Sequence, residues 1–284
     1  MFRFAFADSP PPPAVGESCL RRSLRRATCR ACVDTCPAGA LSITGEGAAL
    51  NQDLCLGCGR CLFVCPVEAI AHLEPPRRHL SAQRLIAPFT SIAPEINELL
   101  LWHVQHHIRG VEIDLDEHPH WGVAIAALNL KLRELDEPAW QIYPPQHASL
   151  NRGRRRFSGL EKGVSVAVEP LSKAFPQYHQ FSLHLDTETC VACAACSRVC
   201  SPKAVVLKAG SFTLDARQCH GCKACEAVCP VDAISISPAT GRADPVVHAL
   251  FETSCPACSR PFYAWYPPQA SLCPICRQHH HGMR

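Results

Sequence analysis

The stretch Cys55-Leu-Gly-Cys58-Gly-Arg-Cys61-Leu-Phe-Val-Cys65-Pro66 decides how this chain is read. It sets three cysteines at intervals of three residues and a fourth, followed by proline, four residues on: C-x2-C-x2-C-x3-C-P. The spacing recurs without error at Cys219, Cys222, Cys225 and Cys229-Pro230. It recurs again at Cys190, Cys193, Cys196 and Cys200, where Ser201-Pro202 follows the last thiol. A fourth block is irregular and reads Cys29-Arg-Ala-Cys32-Val-Asp-Thr-Cys36-Pro37. Its regular first position would be 26, which is Arg26, and the nearest upstream thiol is Cys19. A disulfide framework is a poor reading, because disulfides belong to small exported chains and no export signal is visible. Zinc alone is also poor, since tetrahedral sites have no need of triplet spacing.

The repeated run resembles that of bacterial ferredoxins, which ligate cubane [4Fe-4S] clusters. Three thiolates wrap one cube, and the cysteine before proline ligates the neighbouring cube, so runs work in pairs and exchange their last cysteines. On that reading Cys190, Cys193, Cys196 and Cys229 hold one cluster, and Cys219, Cys222, Cys225 and Cys200 the next. In the N-terminal pair Cys55, Cys58, Cys61 and Cys36 hold a cluster, and Cys19, Cys29, Cys32 and Cys65 another. Cys19 would reach in over a longer loop; without it the first site would be a three-cysteine [3Fe-4S] centre. The motif Cys19-x9-Cys29-x2-Cys32-x3-Cys36-Pro37 resembles the stretched motif of NapF-type ferredoxins, and the four-run layout resembles polyferredoxins associated with formate dehydrogenase and other molybdenum or tungsten oxidoreductases. The resemblance covers residues 17–74 and 183–238. It implies electron transfer in the cytoplasm, or maturation of a partner metalloenzyme. The chain departs from it by a long insert and an extra C-terminal cysteine module.

Length and composition fit a multidomain protein: 284 residues, 47% hydrophobic, formal net charge +3. So small a charge does not demand nucleic acid or a membrane surface, and no apolar stretch nears the ~20 residues of a membrane helix. The expected fold class is α+β, with two ferredoxin-like dicluster modules (17–74 and 183–238) separated by a small α/β insert (84–145). A proline-rich N-terminus (1–16), a basic linker (146–182) and a zinc ribbon with its tail (250–284) complete the expected organisation. In each module a cysteine run should lead through a helical turn into a hairpin: Ala40–Ile43, a turn at Gly45–Gly47 and a return at Ala49-Leu50 in the first. In the second, Ala204–Leu207 precedes a turn at Gly210 and a return at Phe212–Leu214. Small residues among the cysteines let backbone amides approach cluster sulfur.

The cysteine-free insert reads as βαβαβ. Leu85–Ala87 is a strand; a helix opened by Pro94 has Ile96, Leu99, Leu100 and Val104 on one face; Val111, Ile113 and Leu115 alternate as a second strand. Pro119 opens a second helix with Trp121, Ile125, Leu128, Leu132 and Leu135 inward, and Trp140–Tyr143 is the last strand. No Gly-rich phosphate loop is present, which argues against nucleotide binding there. His103, His106, His107, His118 and His120 cluster in this insert, and His103 with His107 could share a helix face and a metal, though partly exposed helix histidines are the plainer reading. Asp114, Asp116 and Glu117 read as a solvated strand end.

At the C-terminus Cys255-Pro-Ala-Cys258 and Cys273-Pro-Ile-Cys276 form two knuckles that supply four thiolates to one tetrahedral ion. Zinc is expected, with rubredoxin-type iron as the alternative. The run Asn151-Arg-Gly-Arg-Arg-Arg156 is a flexible basic linker or a patch for nucleic acid or an acidic redox partner. The functional expectation is a carrier of single electrons to or from a partner oxidoreductase, with no catalytic residue of its own. An accessory or maturation factor and a nucleic-acid-binding iron–sulfur protein are the alternatives.

Overall fold

A computed structural model describes residues 11–24, 26–145, 163–208, 210–267 and 272–279. The described residues form two compact units: one takes those up to Ser23 and Arg30–Ala174, the other Leu24–Cys29 and those from Phe175 onward.

The first unit begins with β1 (Ala14–Val15), α1 (Leu20–Ser23), α2 (Ala31–Thr35), β2 (Leu41–Thr44), β3 (Gly47–Leu50), α3 (Arg60–Val64) and β4 (Ile70–Ala71). β2 and β3 form the expected hairpin, with Leu41 opposite Leu50 and Thr44 opposite Gly47. β1 pairs antiparallel with β4. The insert follows as β5 (His79–Ser81), β6 (Arg84–Ile86), α4 (Ile96–Gln105), β7 (Gly110–Glu112), α5 (Pro119–Glu134) and β8 (Gln141–Tyr143), after which α6 (Leu171–Ala174) ends the unit. Its sheet runs in the order β5-β6-β7-β8. The β6–β7 and β7–β8 pairs are parallel, as βαβ crossovers require, and β5 adds an antiparallel edge strand that hydrophobic periodicity does not announce.

Most of this unit's large apolar core lies in the insert. Leu85, Leu99, Leu100, Trp102, Ile108, Val111, Trp121, Leu128 and Leu132 are all fully buried. The α5 face lies as the apolar spacing predicts. α4 differs: Glu98 to His103 are buried on every side, while Ile96 and Val104 are only half-buried. The helix is covered from more than one direction because α3 and α6 pack on it as well as α5. Two side chains tie the insert to the cysteine-bearing helix α3: Asn97 Nδ2 donates to the Phe63 carbonyl at 2.8 Å, and Arg60 Nη1 to that of Ala93 at 2.8 Å.

The second unit contains β9 (His179–Leu185), α7 (Ala195–Val199), β10 (Val205–Lys208), β11 (Ser211–Leu214), α8 (Ala224–Val228), β12 (Ile234–Gly241), β13 (Val246–Ala249), β14 (Phe251–Ser254), β15 (Pro261–Ala264) and α9 (Pro274–His279). β10 and β11 form the second expected hairpin, with Val205 opposite Leu214, and β13 extends it to three strands. β9 pairs with β12 antiparallel, with an irregularity between Pro238 and Gly241. Here the core is built largely from cysteines and small residues: Ala192, Cys196, Cys200, Ala204, Cys219, Cys225, Cys229 and Ala233 pack around Phe212, Ile234 and Ile236. Such a core buries little hydrocarbon, so a group held by the thiols would supply much of the unit's cohesion.

Candidate iron–sulfur and metal sites

Each regular run builds the same backbone. The residue before the second cysteine is left-handed in all three: Gly57 at φ 62°, Ala192 at 51° and Gly221 at 71°. So is the residue after it: Gly59 at φ 73°, Ala194 at 63° and Lys223 at 58°. These last three cap the short helices α3, α7 and α8, which carry the third cysteine. A left-handed conformation costs a non-glycine residue roughly 1–2 kcal/mol, so its return at alanine and lysine shows that the loop needs the turn whatever the side chain. At Gly221 space adds a second demand, since a Cβ there would lie 2.3 Å from the Phe181 ring.

The last cysteine of every block then leaves its helix in one extended conformation. The φ/ψ values are −75/111° at Cys36, −75/111° at Cys65, −79/93° at Cys200 and −70/117° at Cys229. Proline after Cys36, Cys65 and Cys229 enforces that geometry, because its ring excludes the helical region for the residue before it. Cys200, which lacks the adjacent proline, adopts it as well. Three residues on, the chain is left-handed again at Gly39, Glu68, Lys203 and Asp232. That turn aims a backbone N–H back at sulfur: Ala69 donates to Cys65 Sγ at 3.1 Å, Ala233 to Cys229 Sγ at 3.2 Å and Val205 to Cys200 Sγ at 3.4 Å. Ala192 does the same for Cys190 at 3.4 Å.

These loops bring the runs together in pairs. A small apolar cavity is lined by Cys190, Cys193, Cys196 and Cys229, with Leu185, Phe212 and Ile234 behind them. Cys229, from the neighbouring run, acts electrostatically on Cys190 and Cys196. Reciprocally, Cys200 acts on Cys219, Cys222 and Cys225. In the first unit a similarly small apolar cavity is lined by Cys36, Cys55, Cys58 and Cys61. Cys61 feels Cys58, Cys32 and Cys36.

Burial pushes the free thiols up: Cys61 and Cys225 to about 12, Cys196 and Cys219 to about 11, from an ordinary 9.0. Two pH effects follow. Without metal, the unfolded thiols ionise near 9.0 while the folded ones stay protonated, so the stability of the metal-free protein should fall as pH rises from 9.0 towards about 12. Because a ligating thiol must lose its proton, adding iron and sulfide to the reduced metal-free protein should release protons. Loading should therefore be tighter at pH 8.5 than at pH 7; pH-stat titration during reconstitution measures the release, and no release would contradict it.

The irregular block is built differently. Arg30, which precedes α2, has φ −132° instead of a left-handed value. Arg26, standing where a regular run would have its first cysteine, is a clamp: its guanidinium donates to the Cys229 carbonyl at 3.0 Å and pairs with Asp232 at 3.1 Å. Cys29 belongs to the same compact unit and acts on Cys222. Cys19 and Cys65 are half-buried in the first unit and Cys32 is buried there.

The C-terminal knuckles converge. The Sγ atoms of Cys255, Cys258, Cys273 and Cys276 all lie within 4.8 Å of one another, and among the described residues no other group of histidine, cysteine and carboxylate ligands is so close. Cys258 and Cys273 are 3.8 Å apart, which matches the edge of about 3.8 Å in a tetrahedron with Zn–S bonds of ~2.3 Å. β14 and β15 form the hairpin beneath the first knuckle, closed by Cys255 N–H to the Arg260 carbonyl at 3.0 Å. The backbone N–H of Cys273 reaches Cys255 Sγ at 3.3 Å. That bond and those from residues 257 and 258 pull the Cys255 thiol down to about 6, while S–H bonding to the other sulfurs holds Cys276 up.

The histidine cluster does not form a metal site among the described residues. α4 ends at Gln105, and His107 is left-handed beyond it at φ 53°, so His103 and His107 share no helical face. Rather than partly exposed, His103 is a core residue. It accepts from Trp140 Nε1 at 2.9 Å through Nδ1, faces Glu137 through Nε2 at 3.1 Å, and burial lowers its pKa, keeping the ring neutral. Asp114 accepts the Asp116 N–H at 2.9 Å, a turn contact. The basic run Asn151–Arg156, the N-terminal residues 1–10 and the tail His280-His281 lie outside the described residues. Among the described residues no helix is long and apolar enough to cross a membrane.

Comparison with known proteins agrees with the cysteine runs. Residues 27–74 match the LdpA Fe-S cluster-binding domain, and residues 212–235 the 4Fe-4S binding domain. The ferredoxin-type protein NapF of Haemophilus influenzae is 46% identical over 61 residues, covering 20% of this chain and 34% of that protein. Hydrogenase-4 component A of Escherichia coli is 31% identical over 90 residues, 30% of this chain and 44% of that protein. A component of the ion-translocating oxidoreductase complex of Methanosarcina acetivorans is 43% identical over 42 residues, 15% and 16% respectively. The chain thus spans less than half the length of these relatives. It carries bacterial-type 4Fe-4S ferredoxin repeats and over 61 residues resembles a NapF ferredoxin-type protein.

Proposed function

We propose that the chain is an iron–sulfur electron carrier that passes single electrons through four [4Fe-4S] clusters to or from a partner oxidoreductase. The observation that supports this reading is the grouping of thiols from paired runs: Cys229 lines one cavity with Cys190, Cys193 and Cys196, while Cys200 acts on Cys219, Cys222 and Cys225. This grouping supports two of the proposed ligand sets, and the cavity on Cys36, Cys55, Cys58 and Cys61 supports a third. The set Cys19, Cys29, Cys32 and Cys65 rests on sequence spacing, with a three-cysteine [3Fe-4S] centre as its alternative. The donors suit the group: soft thiolates, backbone N–H groups aimed at sulfur, and an apolar surround.

Each cluster, when bound, supplies one reversible electron; the thiolates hold it and the amides and apolar shell set how readily it is reduced. Relatives named as parts of an ion-translocating oxidoreductase complex and of a hydrogenase support a redox partner of that kind. A molybdenum or tungsten enzyme such as formate dehydrogenase is the finer proposal, with maturation of such an enzyme as the second reading. Anaerobic reductive titration should take up about four electrons per chain reversibly. Iron-loaded protein that cannot be reduced and reoxidised would overturn the carrier reading.

The C-terminal four cysteines are proposed to hold one structural zinc, because four thiolates leave no open position for substrate. Cys276→Ala should lower zinc by about one per chain while leaving iron unchanged. Loss of iron alone from this variant would identify a rubredoxin-type centre instead.

A further inference from the structure

We propose that Trp265, carried by the C-terminal cysteine module, sets the reduction potential of the cluster on Cys190, Cys193, Cys196 and Cys229, and that the module's metal holds it there; this rests on the function proposed above.

Trp265 directly follows β15 and stands between the two knuckles, Cys255–Cys258 and Cys273–Cys276. Its indole Nε1 donates to the Cys190 carbonyl at 2.7 Å, a short polar link between this module and a cysteine run of the same unit. The ring lies 5.5 Å from buried Phe212 and edge-on to His248 at 5.8 Å. With Tyr263 it packs on the core cluster that contains Cys196 and Cys229. The indole therefore covers one side of the ligand loop and also brings a donor to it. The N–H dipole points at the Cys190 backbone and favours negative charge at that residue.

Reduction adds one electron to a group already made negative by four thiolates. A donor near the ligand stabilises the reduced form and raises the potential. Phenylalanine at 265 would keep the aromatic cover and remove the N–H. The metal enters because the chain from 255 to 276 is tied at both ends by one set of thiols, with Trp265 inside the closed loop. Losing the ion lets the loop open.

The test is potentiometric titration of the full chain followed by EPR, with the cluster assigned through its altered signal in Cys193→Ser. Trp265→Phe should shift that one cluster to more negative potential, leaving the others and the iron and zinc contents unchanged. Cys276→Ala should perturb the same cluster alone. An unchanged potential in Trp265→Phe at full iron content would overturn the inference and leave the carrier reading standing. Absence of reducible clusters in the unaltered chain would overturn both. A uniform shift of all clusters would show a global change of structure and refute the specific role.

Discussion

Replacing Cys229 by alanine should strip the cluster held by Cys190, Cys193 and Cys196 of its fourth thiolate, converting it to a [3Fe-4S] centre, and spare the one held by its own run. About one iron atom per chain should be lost, with an oxidised-state [3Fe-4S] signal in its place. The expectation runs against sequence proximity, since Cys229 is four residues from Cys225 and 33 from Cys196. Its basis is the extended backbone at Cys229, which turns the thiol out of the α8 loop, and the cavity it completes with Cys190, Cys193 and Cys196. The companion variant Cys200→Ala should spare this cluster and convert the one on Cys219, Cys222 and Cys225 to a [3Fe-4S] centre instead. Iron analysis with EPR of each oxidised and reduced variant distinguishes the patterns. If Cys229→Ala instead removed the cluster of its own run, the exchange would be wrong and each run would serve itself.

The second large effect lies away from the clusters. Arg78 and Glu98 form a buried ion pair whose side chains are 9% and 0% exposed. The pair is bidentate, with Arg78 Nη2 to Glu98 Oε2 at 3.0 Å as its second bond. Trp102 Nε1 adds a bond to the same carboxylate at 3.3 Å, and the guanidinium stacks 5.0 Å from the Trp121 ring centre. Arg78→Ala would leave a carboxylate in the core with one N–H donor, so it should cost about 3–5 kcal/mol. Arg78→Met combined with Glu98→Leu should recover most of that loss, because the cost lies in the uncompensated charge. Urea unfolding followed by tryptophan fluorescence suits the question, since Trp102, Trp121 and Trp140, three of the four tryptophans, are buried in this core. A cost below about 1 kcal/mol for the single variant would place the pair in the class of exposed ion pairs.

The cysteine loops were legible because their spacing is itself the geometry: a thiol every third residue, then a proline that forces the last thiol out of the helix. The hairpins at 41–50 and 205–214 were legible from short apolar runs around glycine turns. The Arg78–Glu98 pair was not, because charges on a short strand-like segment and a helix read as solvated until the tertiary structure closes over them. His103 was misjudged for a related reason: α4 is covered on several sides, so no single apolar stripe marks its buried face. Left-handed Ala194 and Lys223 were equally hidden, since only the repeat of the loop, not the residue type, demands that conformation. Arg26 could be seen as the gap in the first run, but its bond to the Cys229 carbonyl depends on which unit the segment joins. Trp265 carried no spacing signal at all.

The most direct test of the central claim is the iron, acid-labile sulfide and zinc content of the anaerobically purified chain, read with EPR of the reduced sample. Four cubanes and one ribbon predict about 16 iron, about 16 sulfide and one zinc per chain, with magnetically coupled reduced clusters; about 15 iron with an oxidised-state [3Fe-4S] signal would assign the first site to three cysteines. Mostly zinc with little iron or sulfide would contradict the claim.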